Sequence, residues 1–349
     1  MNPDQDRRLV EAVKNLLDAF APADSPGAIV MVIRNGQPVV SISRGLANLE
    51  TGIPITSQTN FRLASVTKQF TAMAILLLKE RQLLGLDDSI TRYFPGFPNG
   101  GGSVTIRHLL NHTSGLLDYE DLIPAGTSLA VTDDHVLRLL IAASGSYFVP
   151  GTHYRYSNTG YCLLGSIVEI VTGQTFSNFL KRNIFDPLGM RNSLAFEAGR
   201  SLVSHRAYGY TGIDLSFERT DQSVTSSTLG DGGIYSSIND LLLWDQAITQ
   251  SGLVSAPTQA EAFTPGASTQ HQIMEDAGTQ VVEYGFGWFL GNYRNVRTHW
   301  HSGNSIGFTN RIERFPELGL TVILLCNRNE APLSILSRQI VELFVPETN

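Results

Sequence analysis

Strand-like apolar runs at both ends of the chain restrict its fold more than any other feature of the sequence. Near the start, Ala28–Ile33 is apolar throughout, and Asn35-Gly36 separates it from the largely apolar Val39–Ile42. Asn-Gly between two such runs predicts a β-hairpin. Near the end, Arg311–Phe315 alternates in polarity and Leu320–Cys326 is again apolar. The simplest packing places both ends in one layered structure of helices and strands.

Helical periodicity accounts for much of the remaining chain. Apolar residues recur at helical spacing over Leu9–Phe20 and again over Leu333–Phe344. Ala64–Leu84 is apolar on every side of a helix, which predicts a buried helix. The middle of the chain alternates short helical patterns with loops rich in Gly, Pro and Asn, and we expect 272–283 to be a loop.

These patterns predict one domain over residues 1–349, built from two parts. Residues 1–86 and 285–349, approximately, should form an α/β part, and 87–284 a mostly helical part inserted into it. With 42% hydrophobic and 16% charged residues, the chain has the composition of a globular protein with a sizeable core. The fold class that we expect is therefore α+β, with a sheet flanked by helices and an inserted helical subdomain.

Charge and cysteine content exclude several classes of function. The chain has 25 Lys and Arg against 32 Asp and Glu, a net charge of −7, which argues against a nucleic-acid partner bound by bulk positive charge. The longest apolar run, Ala72–Leu78, is too short to span a membrane. Cys162 and Cys326 form no Cys-x-x-Cys pair, which excludes a disulfide framework or a zinc site built from cysteines. We expect no cofactor and no metal.

The amino terminus lacks the pattern of a secretory leader. Asp4, Arg7, Arg8 and Glu11 interrupt the apolar core that a signal peptide requires. Two expectations stay open, namely a cytoplasmic protein, or a periplasmic or secreted protein whose leader was removed.

Ser65 and Lys68 form the first candidate site. Residues three apart share a helix face, so the hydroxyl and the amine can touch. A serine needs a nearby base to act as a nucleophile, and a buried lysine can supply one. The alternative is a helix-capping serine with a solvated lysine. The apolar surroundings of Lys68 favour a buried, functional lysine.

Tyr156 and Asn158 form the second candidate site. They stand two apart in an extended turn before an apolar helix, so their side chains should point the same way. A phenol close to an ammonium can relay protons. The alternative is a tyrosine that merely packs over the next helix.

The third candidate site is the run His301-Ser302-Gly303-Asn304. A glycine on a strand allows close approach of a ligand, and the backbone N–H that follows it can donate to an oxyanion together with the N–H of Ser65. The alternative is a bulge beside a core histidine.

Taken in order, the three sites resemble the serine β-lactamase and penicillin-binding-protein family, whose motifs are S-x-x-K, then Y-x-N or S-x-N, then K-T-G or H-x-G. Here they read Ser65-Val-Thr-Lys68, Tyr156-Ser-Asn158 and His301-Ser-Gly303. Y-x-N is typical of the class C β-lactamase branch, which includes DD-carboxypeptidases, D-aminopeptidases and β-lactamase-like esterases. Further similar stretches are Leu86–Asp88, Ile106–Gly115, Pro150-Gly151, Asp186–Met190 and Gly232–Ser236.

The resemblance implies an acyl-enzyme hydrolase with an antiparallel sheet and a helical subdomain, and with the active site between them. Ser65 would attack a carbonyl carbon, and Lys68 and Tyr156 would share the proton transfers. Asn158 would position the substrate amide and Lys68. His301 and Gly303 would line the strand beside the substrate, and the N–H groups of Ser65 and Asn304 would form the oxyanion hole.

The sequence departs from the class C β-lactamase pattern at two positions. His301 stands where those enzymes carry lysine, and Ser302 where they carry threonine. A fixed ammonium that would attract a substrate carboxylate is thereby replaced by an imidazole whose charge the sequence leaves open. The H-x-G form is similar to that of some DD-carboxypeptidases and D-amino-acid peptidases.

Three functional hypotheses follow, each with a small acyl compound as the partner. The first is a hydrolase that acts on β-lactams or short acyl esters through Ser65. The second is a D-amino-acid peptidase or DD-carboxypeptidase. The third is a penicillin-binding protein that is acylated without turnover. The presence of both Lys68 and Tyr156 favours turnover, because a mere binder tolerates the loss of a base.

Two other motifs are set aside. His108 and His112 have the spacing of a zinc pair on a helix, but Leu109 stands where H-E-x-x-H needs glutamate, and His299 and His301 form a second pair without nearby carboxylates.

The other motif, Gly303-Asn-Ser-Ile-Gly307, matches a nucleophile elbow. None of the eight histidines follows Ser305, as an α/β-hydrolase would require.

Overall fold

The computed structural model describes residues 3–98, 101–213, 216–266, 274–276 and 279–345. The helices are α1 (Pro3–Phe20), α2 (Thr67–Glu80), α3 (Ile106–Leu110), α4 (Tyr119–Leu122), α5 (Asp133–Ala142), α6 (Asn158–Thr172), α7 (Phe176–Leu180), α8 (Asp186–Leu188), α9 (Ile238–Gln250), α10 (Ala256–Glu261) and α11 (Leu333–Phe344). The strands are β1 (Ala28–Arg34), β2 (Gln37–Arg44), β3 (Leu46–Asn48), β4 (Ile53–Pro54), β5 (Phe61–Arg62), β6 (Leu194–Ala195), β7 (Tyr210–Ile213), β8 (Ser216–Arg219), β9 (Ile234–Ser236), β10 (Met274–Asp276), β11 (Thr279–Tyr284), β12 (Phe289–Tyr293), β13 (Val296–Ser305), β14 (Phe308–Phe315) and β15 (Leu320–Cys326).

A large antiparallel sheet joins the two ends of the chain. Its eight strands lie in the order β10-β11-β12-β13-β14-β15-β1-β2. The last strand, β15, pairs with β1, so that Ala28 lies opposite Cys326. The β1–β2 turn holds Asn35 and Gly36 at φ of 50° and 75°, the left-handed conformation that a tight hairpin turn needs. The predicted hairpin and the predicted meeting of the two ends are therefore confirmed.

Helices cover both faces of this sheet. Val30 and Val32 of β1 belong to the core that contains α1 and α11. Ile29 and Met31 belong to the larger core that contains α2. Successive side chains of a strand point to opposite faces, which is why one continuous apolar run serves two cores. The predicted α+β class, with an antiparallel sheet flanked by helices, is confirmed.

Helix α2 passes through the interior and is buried on every side. Each residue from Thr67 to Leu78 is buried, as the uniform apolarity of this stretch predicted. Two threonine side chains of α2 bond to the segment that leads into β9. Thr71 donates to the carbonyl of Gly230 at 2.6 Å, and the N–H of Ile234 donates to Thr67 at 3.2 Å. Such bonds replace the hydration that these groups lose on burial.

Between β5 and β10, most of the described regular secondary structure is helical, and small sheets lie between the helices. The pairings are β3-β4, β5-β9-β6 and β7-β8. Helix α6 packs against α2, α3 and α5, which places its first residue, Asn158, beside α2. Within the described ranges, no helix combines the length and the apolarity that crossing a bilayer requires.

The expectation that 272–283 is a loop is wrong where the structure describes it. β10 and β11 extend the large sheet at its edge, with Val281 opposite Gly291 of β12. The large sheet therefore begins before residue 285, where the sequence suggested the boundary between the two parts. An edge strand is held by backbone pairing and needs no apolar alternation, so hydropathy does not reveal it.

Asn327, just after β15, connects three segments that are distant in sequence. Its Oδ1 accepts from the N–H of Gly27 at 2.8 Å. Its Nδ2 donates to the carbonyls of Leu46 at 3.0 Å and Tyr208 at 2.9 Å. The side chain is fully buried, so water cannot replace these bonds.

We expect Asn327→Ala to lower the free energy of unfolding by about 2–4 kcal/mol, because it leaves three buried backbone groups unpaired. Chemical denaturation followed by circular dichroism measures this. Asn329→Ala is the matched control, since none of the described contacts involves its side chain as a hydrogen-bond partner, and it should change stability by less than about 0.5 kcal/mol. Equal stability of the two variants would contradict the connecting role.

Candidate active site

Ser65 lies in a tight turn between β5 and α2. The turn is a 3-10 segment, Ala64–Val66, that leads directly into the helix. Ala64 has φ of 48°, in the left-handed region that is unfavourable for alanine. Backbone strain of this kind is held in place by surrounding contacts, here including the bond from the N–H of Leu63 to the carbonyl of Ile234 at 2.8 Å. The turn leaves Ser65 half-buried at the start of a fully buried helix.

Lys68 is fully buried and makes three hydrogen bonds. Its Nζ donates to Ser65 Oγ at 3.0 Å, to Asn158 Oδ1 at 2.7 Å and to the carbonyl oxygen of Asp231 at 3.0 Å. An ammonium has three protons, so this cage satisfies it completely. The predicted contact between Ser65 and Lys68 is present, and Lys68 is neither solvated nor exposed.

Tyr156 and Asn158 lie on the other side of Lys68. Nζ of Lys68 lies 5.0 Å from the ring centroid of Tyr156. Asn158 is the first residue of α6, and its backbone N–H donates to Asp118 Oδ2 at 2.8 Å. The structure thus brings together Ser65, Lys68, Tyr156 and Asn158, the four residues of the first two motifs.

His301 lies on β13, buried beside the same group. Its Nδ1 lies 2.6 Å from the carbonyl oxygen of Ser302, which can only accept, so Nδ1 carries the proton. Nε2 is then the acceptor for the hydroxyl of Tyr284 at 2.9 Å. Burial, reinforced by the positive charge of Lys68, lowers the pKa of His301 to about 3. The ring is therefore neutral at physiological pH, which settles the charge that the sequence left open.

Gly303 allows β13 to touch the turn that carries Ser65. A Cβ atom at this position would lie 2.0 Å from the carbonyl oxygen of Leu63. No side chain fits in that gap, so the glycine serves a contact within the chain rather than only the approach of a ligand. Asn304 follows at the exposed end of the strand and lines the same cleft as Ser65.

The cleft beside Ser65 has a volume of about 160 Å³ and is mainly polar. Ser65, Asn158 and Asn304 line it together with two acidic residues, Glu120 and Asp231. A larger cavity of about 560 Å³ lies where the β14–β15 turn approaches α9. It contains none of the residues of the three motifs, so the smaller cleft is the candidate active site.

Glu120 and Asp231 make this cleft acidic, and sequence reasoning missed both. Glu120 Oε1 accepts from Asn158 Nδ2 at 3.1 Å, and Asp231 Oδ2 accepts from Tyr119 at 3.3 Å. Burial and the neighbouring carboxylates of Asp118 and Asp231 raise the pKa of Glu120. Neither residue belongs to a motif, and only the acidic run around Asp118 offered a local signal.

Asp133 at the start of α5 anchors the loop that carries Asp231. Its carboxylate accepts from the N–H groups of Leu229 at 2.9 Å and Gly230 at 3.4 Å. Burial and the charge of Asp231 raise the pKa of Asp133 to about 7. This anchor fixes the backbone carbonyl of Asp231 on which Lys68 depends.

The residues of the motifs set aside above lie in packing, capping or turn positions. His108 accepts from the N–H of Thr105 in a helix cap, whereas His112 turns into the wall of the site, so they do not form a facing pair. His299 stacks on Phe263 with ring centroids 4.5 Å apart. Ser305 ends β13 before a strand-to-strand turn, not the strand-to-helix turn of a nucleophile elbow.

Comparison with known proteins agrees with this geometry. The model of the Beta-lactamase family matches residues 13–343. The chain belongs to the beta-lactamase family. It is a serine hydrolase with the fold of β-lactamases and penicillin-binding proteins, as the three motifs suggested.

Relatives and structural neighbours carry several functions. A penicillin-binding protein from Bacillus subtilis (strain 168) is 35% identical over 334 residues, which cover 91% of this chain and 72% of that protein. A D-aminopeptidase from Brucella anthropi is 31% identical over 296 residues, 79% of this chain but only 54% of the relative. The structure of the D-amino acid amidase from Ochrobactrum anthropi SV3 superposes on this chain with a TM-score of 0.81 and is 25% identical in sequence. The superposition covers 97% of this chain and 100% of the amidase chain.

We expect Gly303→Ala to slow labelling of the protein by a fluorophosphonate probe, which reacts with activated serines, by about 100-fold. The added methyl group must displace the Ser65 turn, and misplacement of a reacting group by about 1 Å has an effect of that size. Gly102→Ala is the control, because a Cβ there meets nothing within 4 Å. Unchanged labelling in Gly303→Ala would show that the close approach is unnecessary.

Stability should fall in acid because of buried neutral histidines. The pKa of His301 and that of His299 are lowered to about 3, mainly by burial, so the unfolded chain binds more protons below about pH 6.5. Each of these histidines should therefore lower the free energy of unfolding by about 1.4 kcal/mol per pH unit as the pH falls from 6.5 towards 3, while Asp133, whose pKa is raised to about 7, contributes in the opposite direction between about pH 7 and pH 4.

Denaturant titrations between pH 4 and pH 8 measure this slope. His301→Asn should reduce the slope by about one proton, whereas His153→Asn, at an exposed position, should leave it intact because the buried rings remain. An unchanged slope in His301→Asn would contradict the neutral, buried state of this ring.

Proposed function

We propose that this serine hydrolase removes amino-acid residues with a free α-ammonium group, of D configuration, from amides and short peptides through an acyl-enzyme on Ser65. The observation that carries the proposal is the acidic cleft, in which Glu120 and Asp231 stand beside Ser65. The chemistry assigned to Ser65, Lys68 and Tyr156 rests on the hydrogen bond from Lys68 to Ser65, on the position of Lys68 Nζ over the Tyr156 ring and on the match of all three to the family motifs.

Acylation begins at the contact between Ser65 and Lys68. In its neutral form Lys68 accepts the hydroxyl proton as Ser65 Oγ bonds to the carbonyl carbon of the substrate. The carbonyl oxygen becomes an oxyanion, and backbone N–H groups of Ser65 and Asn304 donate to it. Collapse of this intermediate breaks the C–N bond. Tyr156 gives its phenolic proton to the leaving amine and takes up in its place the proton that Lys68 removed from Ser65, which leaves Lys68 neutral again.

Deacylation reverses these roles with water as the nucleophile. The Lys68 and Tyr156 pair takes a proton from water while the water oxygen bonds to the acyl carbon. The ester bond to Ser65 then breaks, the serine regains its proton and the amino acid leaves as its carboxylate. Asn158 holds Lys68 through its Oδ1, and its amide lines the cleft, where a substrate amide can bind.

Charge favours an ammonium over a carboxylate in this cleft. Among the residues that line the described cleft, Glu120 and Asp231 contribute two negative charges and Arg62 one positive charge, so the lining is negative by one charge. A penicillin brings a carboxylate, which class C enzymes meet with a lysine at the position of His301. The neutral ring of His301 offers no such attraction. These features favour the amino-acid hydrolase over the β-lactam and simple ester substrates.

The relatives support the same choice and add the stereochemistry. A D-aminopeptidase is among them, as is a D-amino acid amidase among the structural neighbours. The penicillin-binding relative covers more of the chain and supports the second candidate, a protein that penicillin acylates without turnover. In both cases Ser65 is the acylated residue.

The test compares D-alanyl-p-nitroanilide with its L enantiomer and with N-acetyl-D-alanyl-p-nitroanilide. We expect the free D compound to be hydrolysed fastest, Ser65→Ala to abolish turnover, and Glu120→Gln to raise KM for the free amine by about 10–100-fold, as loss of a charged hydrogen bond should. Glu11→Gln, on α1, is the matched control and should have no effect.

Other outcomes of these measurements would favour one of the remaining hypotheses. Faster hydrolysis of the N-acetyl compound or of p-nitrophenyl butyrate would overturn the proposal in favour of an esterase. Intact-mass spectrometry after mixing with a penicillin distinguishes a penicillin-binding protein from a β-lactamase. A stable adduct that is absent in Ser65→Ala, with no turnover of any amide, would indicate a penicillin-binding protein, and rapid penicillin turnover a β-lactamase.

A further inference from the structure

His112 is a buried residue of the active-site wall for which the proposed reaction has no use. It follows α3 and its cap Asn111, and its φ of 60° turns the chain away from the helix axis. Histidine tolerates this left-handed conformation better than most residues. The turn directs the ring into the molecule towards Tyr156, and only 2% of the residue remains exposed.

Two hydrogen bonds connect His112 to the segment that carries Tyr156. The carbonyl oxygen of His112 accepts from the N–H of Arg155 at 3.0 Å. The ring Nδ1 accepts from the N–H of Ser157 at 3.2 Å. These two N–H groups flank Tyr156, so one residue fixes the backbone on both sides of it. Since Ser157 directly precedes α6, the same bonds set the position of Asn158.

The ring of His112 also packs against the phenol that it positions. Its centroid lies 4.3 Å from that of Tyr156 and 4.5 Å from that of Tyr284. Tyr284 in turn bonds to His301. His112 therefore fills the space between the loop of the second motif and the strand of the third, and Tyr156 cannot move towards it without a clash.

The ring acts as an acceptor because it is neutral. Burial, with the charge of Lys68 nearby, lowers the pKa of His112 well below its ordinary value. With Nδ1 accepting from Ser157, the proton lies on Nε2, which has no hydrogen-bond partner among the described residues. Among the described contacts, only Nδ1 of the ring makes a hydrogen bond. An asparagine, whose Oδ1 can occupy the position of Nδ1, should therefore replace the histidine best.

We propose that His112 is a positioning residue that holds Tyr156 and Asn158 in register with Lys68. It touches neither substrate nor the reacting atoms and acts through the two N–H groups beside Tyr156. The inference rests on the proposed role of Tyr156 in proton transfer. The proposal gives the His112 side chain one specific role, which is to accept the hydrogen bond from the N–H of Ser157.

The test compares three substitutions, His112→Asn, His112→Gln and His112→Leu. Asn keeps an acceptor at the Nδ1 position, Gln places one near Nε2 instead, and Leu has none. We expect His112→Leu and His112→Gln to slow fluorophosphonate labelling of Ser65 by about 100-fold, and His112→Asn by less than about 10-fold. With an amide substrate, kcat should fall by about 100-fold and KM should rise by less than about 10-fold, because Tyr156 and Asn158 are displaced while Glu120 and Asp231 stay in the cleft.

Unfolding midpoints of all three variants separate positioning from stability. If His112→Leu does not fold, the comparison of Asn with Gln still decides, because both are polar amides of similar size. Labelling of His112→Leu at the parent rate, or equal slowing of Asn and Gln in folded protein, would overturn the inference.

Tyr156→Phe is measured in parallel so that failure of the proposed function can be recognised. If Tyr156→Phe labels and turns over like the parent, the proposed role of Tyr156 is wrong and so is the inference that rests on it. If Tyr156→Phe is impaired while His112→Leu is not, only the inference fails. Fluorophosphonate labelling requires no particular substrate, so an error in the proposed substrate class leaves this comparison valid.

Discussion

The burial of Lys68 is the constraint on which the site depends. A buried ammonium is unfavourable by several kcal/mol unless its protons find acceptors. The three acceptors come from different parts of the chain, namely Ser65 in the turn before α2, Asn158 at the start of α6 and the backbone of Asp231 before β9. Folding must bring all three to one point before the lysine can be buried. The geometry that satisfies the charge is the same geometry that places a base beside a serine.

Close backbone contacts keep these three parts in place. The Ser65 turn touches β13 at Gly303, where a Cβ would lie 2.0 Å from a carbonyl oxygen. Gly287, between β11 and β12, makes a similar close contact with α2, because an added Cβ there would lie 2.8 Å from the backbone of Gln69. The large sheet thus approaches the buried helix more closely than side chains would permit. Rigid contact of this kind fixes a reacting group without long, flexible side chains.

The sequence predicted those parts of the site that are local or that match a motif. The hairpin, the buried helix and the contact of Ser65 with Lys68 follow from short-range patterns. Tyr156, Asn158 and His301 were candidates from their local chemistry, but only the resemblance of their motifs to a family joined them to Ser65 and Lys68 as one site. Glu120 and Asp231 were missed because their place beside Ser65 results from tertiary packing across 50 or more residues, which leaves no periodic signal. The edge strands β10 and β11 were missed because pairing, not hydropathy, forms them.

Electrostatics then distinguishes this chain from others with the same framework. The three motifs bring together the proposed nucleophile and its proposed proton carriers, an arrangement that can serve many substrates. Substrate choice depends on charges outside those motifs. Here burial keeps His301 neutral, while Glu120 and Asp231 make the cleft negative. On the proposal made above, such a cleft favours a substrate ammonium over a carboxylate, so that one fold could serve opposite substrate charges through a few residues around an unchanged lysine and serine.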